Sequence, residues 1–232
     1  VKNYTFNFEI QTLMEQFVSA FNDIIIKRYD NKKTLTPPTS GFGVNFVYAP
    51  KQRVFDTLKT PAPGGLTVPV VAVSINGMSR DNTRTTNKLD SFFIPVFDET
   101  ISSDYLKNIP QPVAVNIGVN MSIITKFQSD MDQILTNFIP YCDPYIVISW
   151  KLPFSKNFEI RTEVLWNGQI NLSYPTDIGP TQNYRLVADT SFTIKGWLFK
   201  KSDQIVKKIY TIDEKFFISD NPVGDFFNLP EL

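Results

Sequence analysis

The chain has 232 residues, enough for one large domain whose folding removes roughly 70% of the unfolded chain's surface from water, so no disulfide or metal is required to hold it. Its 23 Lys and Arg balance 23 Asp and Glu, which argues against a generic phosphate-binding surface and against sequence-specific nucleic-acid binding. There is no histidine, which removes Ser-His-Asp and Cys-His catalysis and His-containing metal sites together.

The first predicted element is a helix, because Ile10, Leu13, Met14, Phe17 and Phe21 recur at helical spacing in "EIQTLMEQFVSAF". A short β-branched run, "DIIIKRYD", reads as a strand after it. "TLTPPTSG" is a loop, since paired prolines resist both regular structures. "GVNFVYAP" reads as a second strand with Val44, Phe46 and Tyr48 on one face, and "KQRVFDTLK" as a partly helical piece. "GFGVNF" has two glycines of a dinucleotide fingerprint but leads into a strand, whereas that motif must open a helix.

After the loop "TPAPGG", the run "TVPVVAVSINGMS" is a strand, expected to be bent or at a sheet edge because of Pro69. "RDNTRTTNK" follows, entirely polar and net positive, with Arg80, Arg84 and Lys88 against Asp81. It is a solvated loop, or a loop that meets an acidic protein surface or a nucleic acid.

In "PVAVNIGVNMSIITKFQSDMDQILTNFIP" the rhythm changes halfway. Val113, Val115, Ile117, Val119, Met121 and Ile123 alternate as one strand face, with Asn116, Asn120 and Ser122 on the wet side. Phe127, Met131, Ile134, Leu135 and Phe138 then form a helical stripe, with Asp130 and Asp132 on its solvated side. Thr125 and Gln128 have the spacing of a capping box, and Pro140 ends the helix. The single cysteine, Cys142, can form no internal disulfide and reads as a small, semi-buried residue of a reducing compartment.

"YIVISW" and "EIRTEVLWNGQINLSYP" are two further strands. In "NYRLVADTSFTIKGWLF", Tyr184, Leu186, Ala188, Phe192, Ile194 and Leu198 share the core face, while Arg185, Asp189, Ser191, Thr193 and Lys195 share a face that is wet or contacts a partner. Gly196 suggests a bulge or a close approach, and Trp197 is core unless exposed, when it becomes an interface type. "NPVGDFFNLPEL" reads as a docking tail. No repeat or low-complexity segment is present. No apolar run approaches the roughly 20 residues of a membrane span and no signal pattern opens the sequence, so the expectation is a soluble, non-exported protein.

The expected fold class is α+β: a single domain with a mixed, largely antiparallel β-sheet and a few helices packed on one side. The acidic residues of "SDMDQ" and "FDETISSD" have no spacing that marks an acid/base pair. Three sequons, "NYT", "NMS" and "NLS", carry no meaning without export, and two lie in predicted strands.

Five blocks in order resemble the tail sheath stabiliser, or tail completion (tail terminator), proteins of T-even-type contractile-tailed bacteriophages. They are "LMEQFVSAFNDIIIKR", "GVNFVYAPKQRVFDTLK", "VPVVAVSINGMSRDNTRTTNK", the long stretch from Pro112 to "YIVISW", and "TSFTIKGWLF". In the third block Gly77, Met78, Ser79, Asp81, Arg84 and Asn87 occupy the matching places, while Arg80 stands where an aromatic is usual and "VPV" replaces "LPR".

The resemblance implies a non-enzymatic structural protein of the virion, assembled in the host cytoplasm and without a cofactor. It implies one tail-completion domain over 1–232, with 201–232 as a C-terminal docking extension. Its implied place is a homohexameric ring at the head-proximal end of the tail. There it would stabilise the extended sheath and contact the tail sheath protein, the tail tube or tube-terminator protein, and a neck or head-completion protein. Partner-contact candidates are Arg80, Arg84, Lys88, Arg185, Lys195 and Trp197, with Arg84→Glu expected to weaken capping without unfolding the chain. Two other readings stand beside it. A ligand- or glycan-binding module of a phage fibre or baseplate predicts an aromatic-lined cleft. A carboxylate-dependent hydrolase predicts two acids within about 5–9.5 Å of each other.

Overall fold

The structure, a computed structural model, describes residues 7–27, 41–59, 65–84, 91–95, 105–152, 155–175, 185–200 and 205–207. The polar stretch beyond Arg84, including Lys88, the acidic run "FDETISSD" and the C-terminal tail lie outside the described residues, as does most of 201–232.

Helix α1 (Glu9–Ser19) buries Leu13, Met14 and Phe17, the stripe expected from the sequence. Phe8 enters it with φ 55°, and its carbonyl accepts both the N–H and the hydroxyl of Thr12. Three short strands follow: β1 (Ile25–Ile26), β2 (Phe42–Gly43) and β3 (Asn45–Tyr48). Val44 and Phe46 turn inward, but Tyr48, expected beside them, is 57% exposed at the end of a strand too short to cover it. Helix α2 (Lys51–Lys59) leads to β4 (Val70–Arg80).

Two strands that the sequence reading did not resolve, β5 (Ser91–Pro95) and β6 (Tyr105–Pro110), precede the long β7 (Val113–Thr125). Helix α3 (Gln128–Phe138) and a 3₁₀ turn (Ile139–Cys142) that contains Pro140 then lead to β8 (Ile146–Leu152). Strands β9 (Ser155–Ser173), β10 (Leu186–Leu198) and β11 (Ile205–Lys207) complete the described chain.

Six strands form one mixed sheet in the order β3-β4-β7-β10-β9-β8, all antiparallel except the β3/β4 pair. The parallel pair is joined by α2, the crossover such a pair needs. β4 is an interior strand, so the edge position expected for it is not found. Pro69 lies one residue before the strand, where its missing N–H removes no ladder bond, and the irregularity falls between Ile75 and Gly77. A second sheet, β11-β6-β5, is antiparallel throughout.

The two faces of the large sheet are built differently. On one face α1 and α3 cover Val71, Val73, Ile117, Val119, Met121, Ile123, Phe192 and Ile194. Phe17 sits at the centre, with ring centroids 5.2 Å from both Phe21 and Phe192; Phe21 in turn meets Phe46 and Phe138. This aromatic chain ties helix, sheet and both flanks, and α1 reaches both edge strands, β3 and β8, so the sheet curls around it. Gly196 allows a close approach of α1: a Cβ there would lie 3.1 Å from the Leu13 side chain. The expected alternative, a bulge at Gly196, is absent; the β9/β10 irregularity lies between Thr190 and Phe192.

On the opposite face α2 covers Val70, Ala72, Ile124 and Val187 with Val54 and Leu58. The helices therefore do not all pack on one side, because a crossover helix between the two parallel strands takes the face that α1 and α3 leave open. Its cover buries Ser122, which alternation alone places in water.

Local departures on α3 have related causes. Phe127, expected in the apolar stripe, is the N-cap residue and 45% exposed, while Asp130, expected in water, is fully buried. The capping box does not form: Thr125 is the last residue of β7 and donates to the Phe127 carbonyl, and Gln128 turns to Asp132. Cys142 is buried, donates to the Phe138 carbonyl, and its thiol is pushed up to about 11 by burial.

The Glu9 carboxylate accepts the Phe199 N–H at 2.9 Å, tying the start of α1 to the end of β10. Its burial raises its pKa despite that bond. Phe17→Ala is expected to cost about 3–5 kcal/mol, the range for emptying a buried aromatic site, in a denaturant unfolding measurement.

Candidate functional site

Beyond α2, the second face of the large sheet is an open polar floor. Helix α2 is clamped onto it at both ends. At the start, the Lys51 ammonium meets the Asp189 carboxylate at 2.6 Å, and Asp189 also accepts the Ser122 hydroxyl at 2.5 Å. At the finish, Arg185 donates to the Leu58 carbonyl at 3.0 Å, with its guanidinium carbon 6.0 Å from the Phe55 ring centroid. A cation at the last carbonyls of a helix is where the backbone dipole favours one.

The floor itself consists of amides and hydroxyls on β4, β7, β9 and β10, around a hollow of about 520 Å³. Neighbouring strands are laced by side chains. Asn76 donates to Asn120 at 2.8 Å, Asn167 to Ser191 at 2.7 Å, and Gln169 to Asn171 at 3.1 Å along β9. Gly118 makes the first of these bonds possible, since a Cβ there would collide with the Asn76 amide. Beneath the floor, Trp166 donates its indole N–H to Thr190, which donates in turn to the Gln169 carbonyl beside the β9/β10 irregularity.

At the far end stands Arg84. Its Nε pairs with Asp81 at 2.8 Å, Nη1 donates to the Lys195 carbonyl at 3.0 Å, and Nη2 donates to the Val115 carbonyl and the Asn116 side chain at 2.8 and 3.1 Å. Its guanidinium also lies over Trp197, 4.9 Å from the ring centroid. The planar fork of arginine reaches two strands and its own turn at once, which an ammonium cannot do. Asp81 accepts the backbone N–H and hydroxyl of Thr83 as well. With Arg84 these hold its carboxyl well below the usual carboxylate range.

The predicted contact residues thus separate by role. Arg84, Trp197 and the backbone of Lys195 form one cluster, in which Arg84 closes the end of the sheet and is not offered to solvent as an interface arginine would be. Arg185 lies at the other end and holds α2. Arg80 is exposed at the end of β4, where it stands opposite Val115. The Lys195 ammonium sits on the floor, paired with Glu163 at 3.0 Å.

The sequence reading missed Lys51 and the amides of β9. Their signal was present as a period-two polar row, Asn167, Gln169 and Asn171, in a strand whose alternate residues pack inward.

A second cleft, of about 620 Å³, lies between the end of α1, β1, the end of α3 and the start of β8. Phe21, Phe138, Tyr141 and Tyr145 line it, so the aromatic-lined cleft of the ligand-module reading has a counterpart in the structure. Each cleft has a single carboxylate among its described lining residues, Asp189 in one and Asp23 in the other. Neither provides the pair a hydrolase of that kind needs.

The family described as the T4-like virus Myoviridae tail sheath stabiliser matches residues 4–228 of the chain. The chain belongs to this family. No curated protein matches it. Membership of the tail sheath stabilisers gives the protein a structural role in a contractile phage tail and a place in the virion. Among the described residues no helix is long and apolar enough to cross a membrane.

Two outcomes test the Arg84 cluster. Arg84→Ala should destabilise the protein by about 2–3 kcal/mol, as expected for several bonds from one charged group, while Arg80→Ala should leave stability unchanged in the same denaturant titration. Because the Asp81 pKa is depressed in the folded state, its contribution is fully present above its ordinary value of 3.8 and is lost as pH falls through the lower folded value. The stability gap between the wild type and Asp81→Asn should therefore be widest near neutral pH and narrow in acid.

Proposed function

We propose that the protein forms a homohexameric ring at the head-proximal end of the tail. The ring caps the last sheath ring and the end of the tube, keeps the sheath extended, and presents the surface on which the neck or head-completion protein docks. The family match over nearly the whole chain carries this reading.

The physical need is plain. An extended contractile sheath is metastable and persists because of a barrier. Its terminal ring lacks the neighbours that satisfy every other ring, so that end is where fraying or contraction begins. A cap restores the missing contacts, and repetition around a ring multiplies weak ones. The work is done by shape and position, with no substrate turned over and no cofactor.

The stiff pair of β7 and β10 supplies the wedge, and the polar floor supplies a surface suited to a neighbouring chain. Two ion pairs on it, Lys51 with Asp189 and Lys195 with Glu163, are already made, so a neighbour that covers it need not bring countercharges for those four groups. Arg80, Lys195 and Lys88 serve as direct contacts; Arg84, Arg185 and Trp197 hold the surface in shape. Residues 1–232 act as one tail-completion domain, with 201–232 as the docking extension. Assembly takes place in the host cytoplasm, on sheath and on tube or tube-terminator protein, without membrane or sequence-specific nucleic-acid binding.

Phage lacking the protein should yield tails with frayed or contracted sheaths that fail to join heads, and supplying the wild-type chain should restore both properties in electron micrographs. Intact, extended, head-joined tails in its absence would refute the proposal.

A further inference from the structure

The cleft between α1 and β8 lies where the curled sheet fails to close. β8 is one edge of the large sheet and pairs only with β9 among the described strands. On the other side, β2 runs almost directly into β3, the opposite edge, and β1 pairs only with β2. The cleft is bounded by Ile24 and Ile25 on the β1 side and by Tyr145, Ile146 and Val147 on the β8 side. The outer side of β1 is closed at Lys27, whose main-chain N–H and C=O both bond the Gln133 side chain of α3, so β8 is the strand that presents an open edge to this gap of about 620 Å³.

Three properties of the gap identify what fits it. Its rim is apolar: Ile25 is 57% exposed, Tyr141 76% and Val147 50%, a cluster of the kind that marks an interaction site. The edge of β8, unpaired among the described strands, offers main-chain donors and acceptors in a row, a template for one more strand. The only charged side chain among the described lining residues is Asp23, so the complementary ligand is neutral or basic at that end. A compact small molecule would use the aromatic walls but leave the main-chain groups of β8 unmatched; an extended peptide uses both.

We propose that this gap is a strand-insertion site, which takes an extended segment of the sheath protein with apolar side chains at alternate positions and a Lys or Arg set against Asp23. The inserted strand pairs with β8, covers Val147 and Ile25, and continues the curled sheet toward β1. This rests on the capping reading above and names the surface that would meet the sheath.

The test uses the full chain and labelled short peptides that tile the cognate sheath protein, with fluorescence anisotropy as the readout. One apolar-alternating, basic-ended peptide should bind. Val147→Lys, at a position already half exposed, should weaken that binding at least about tenfold while circular dichroism stays unchanged. Asp23→Asn should weaken it at low salt, and Lys59→Ala, at the exposed end of α2 away from the cleft, should leave it unaltered.

The site is overturned if no sheath peptide binds, if the best one binds Val147→Lys equally well, or if a peptide of this chain's own residues 208–232 displaces it. It is also overturned if phage carrying Val147→Lys build stable, extended tails while phage lacking the protein do not. That last result would leave the capping function standing and remove only this site.

Discussion

The pairing of β7 with β10 is the constraint on which everything else rests. All thirteen residues of one strand stand opposite thirteen of the other, from Val113 against Leu198 to Thr125 against Leu186, without a slip. A shift by one residue would turn Ile117, Val119, Phe192 and Ile194 into water and the amides inward. The aromatic cluster beneath α1 and the polar floor above are thus two sides of one register. Neither can be altered in place without the other.

The polar groups on that floor do structural work first. Arg84 binds carbonyls on two strands and a carboxylate on its own turn, Arg185 closes α2, and the amides of Asn76 and Asn167 join neighbouring strands. The side chains whose type suggests recognition are largely spent on the fold. What is left unspent on that face is the shape they hold, together with the amide and hydroxyl groups between the clamps. In a protein whose family role is to hold other subunits still, a surface stiffened from within loses little freedom when it is covered.

Much of this was legible in the residues. Strict alternation in β7 and β10 announces a sheet with one dry face, and the stripe of α1 announces the helix that dries it. The family was legible from the order of five blocks, each weak alone. What escaped the reading was decided by tertiary neighbours. Ser122 looks wet until the crossover helix α2 lands on it, and Asp130 looks solvated until α3 is placed. Thr125 looks like a cap although β7 claims it as its last residue. Arg84 looks free because the carbonyls of Val115 and Lys195 that bind it are remote in sequence and leave no mark in it. Strands β5 and β6 lack a long alternating run, and their neighbour β11 lies far along the chain.

The internal pairing of charges on the open face has one more consequence. Attractions between separate charged surfaces reach roughly 30 Å in dilute solution and only about 8 Å at physiological ionic strength, so contacts built on them loosen and tighten with the medium. A surface whose ions already neutralise one another projects little field for the medium to screen. A joint made where those ions pair would change little in strength between dilute and concentrated salt.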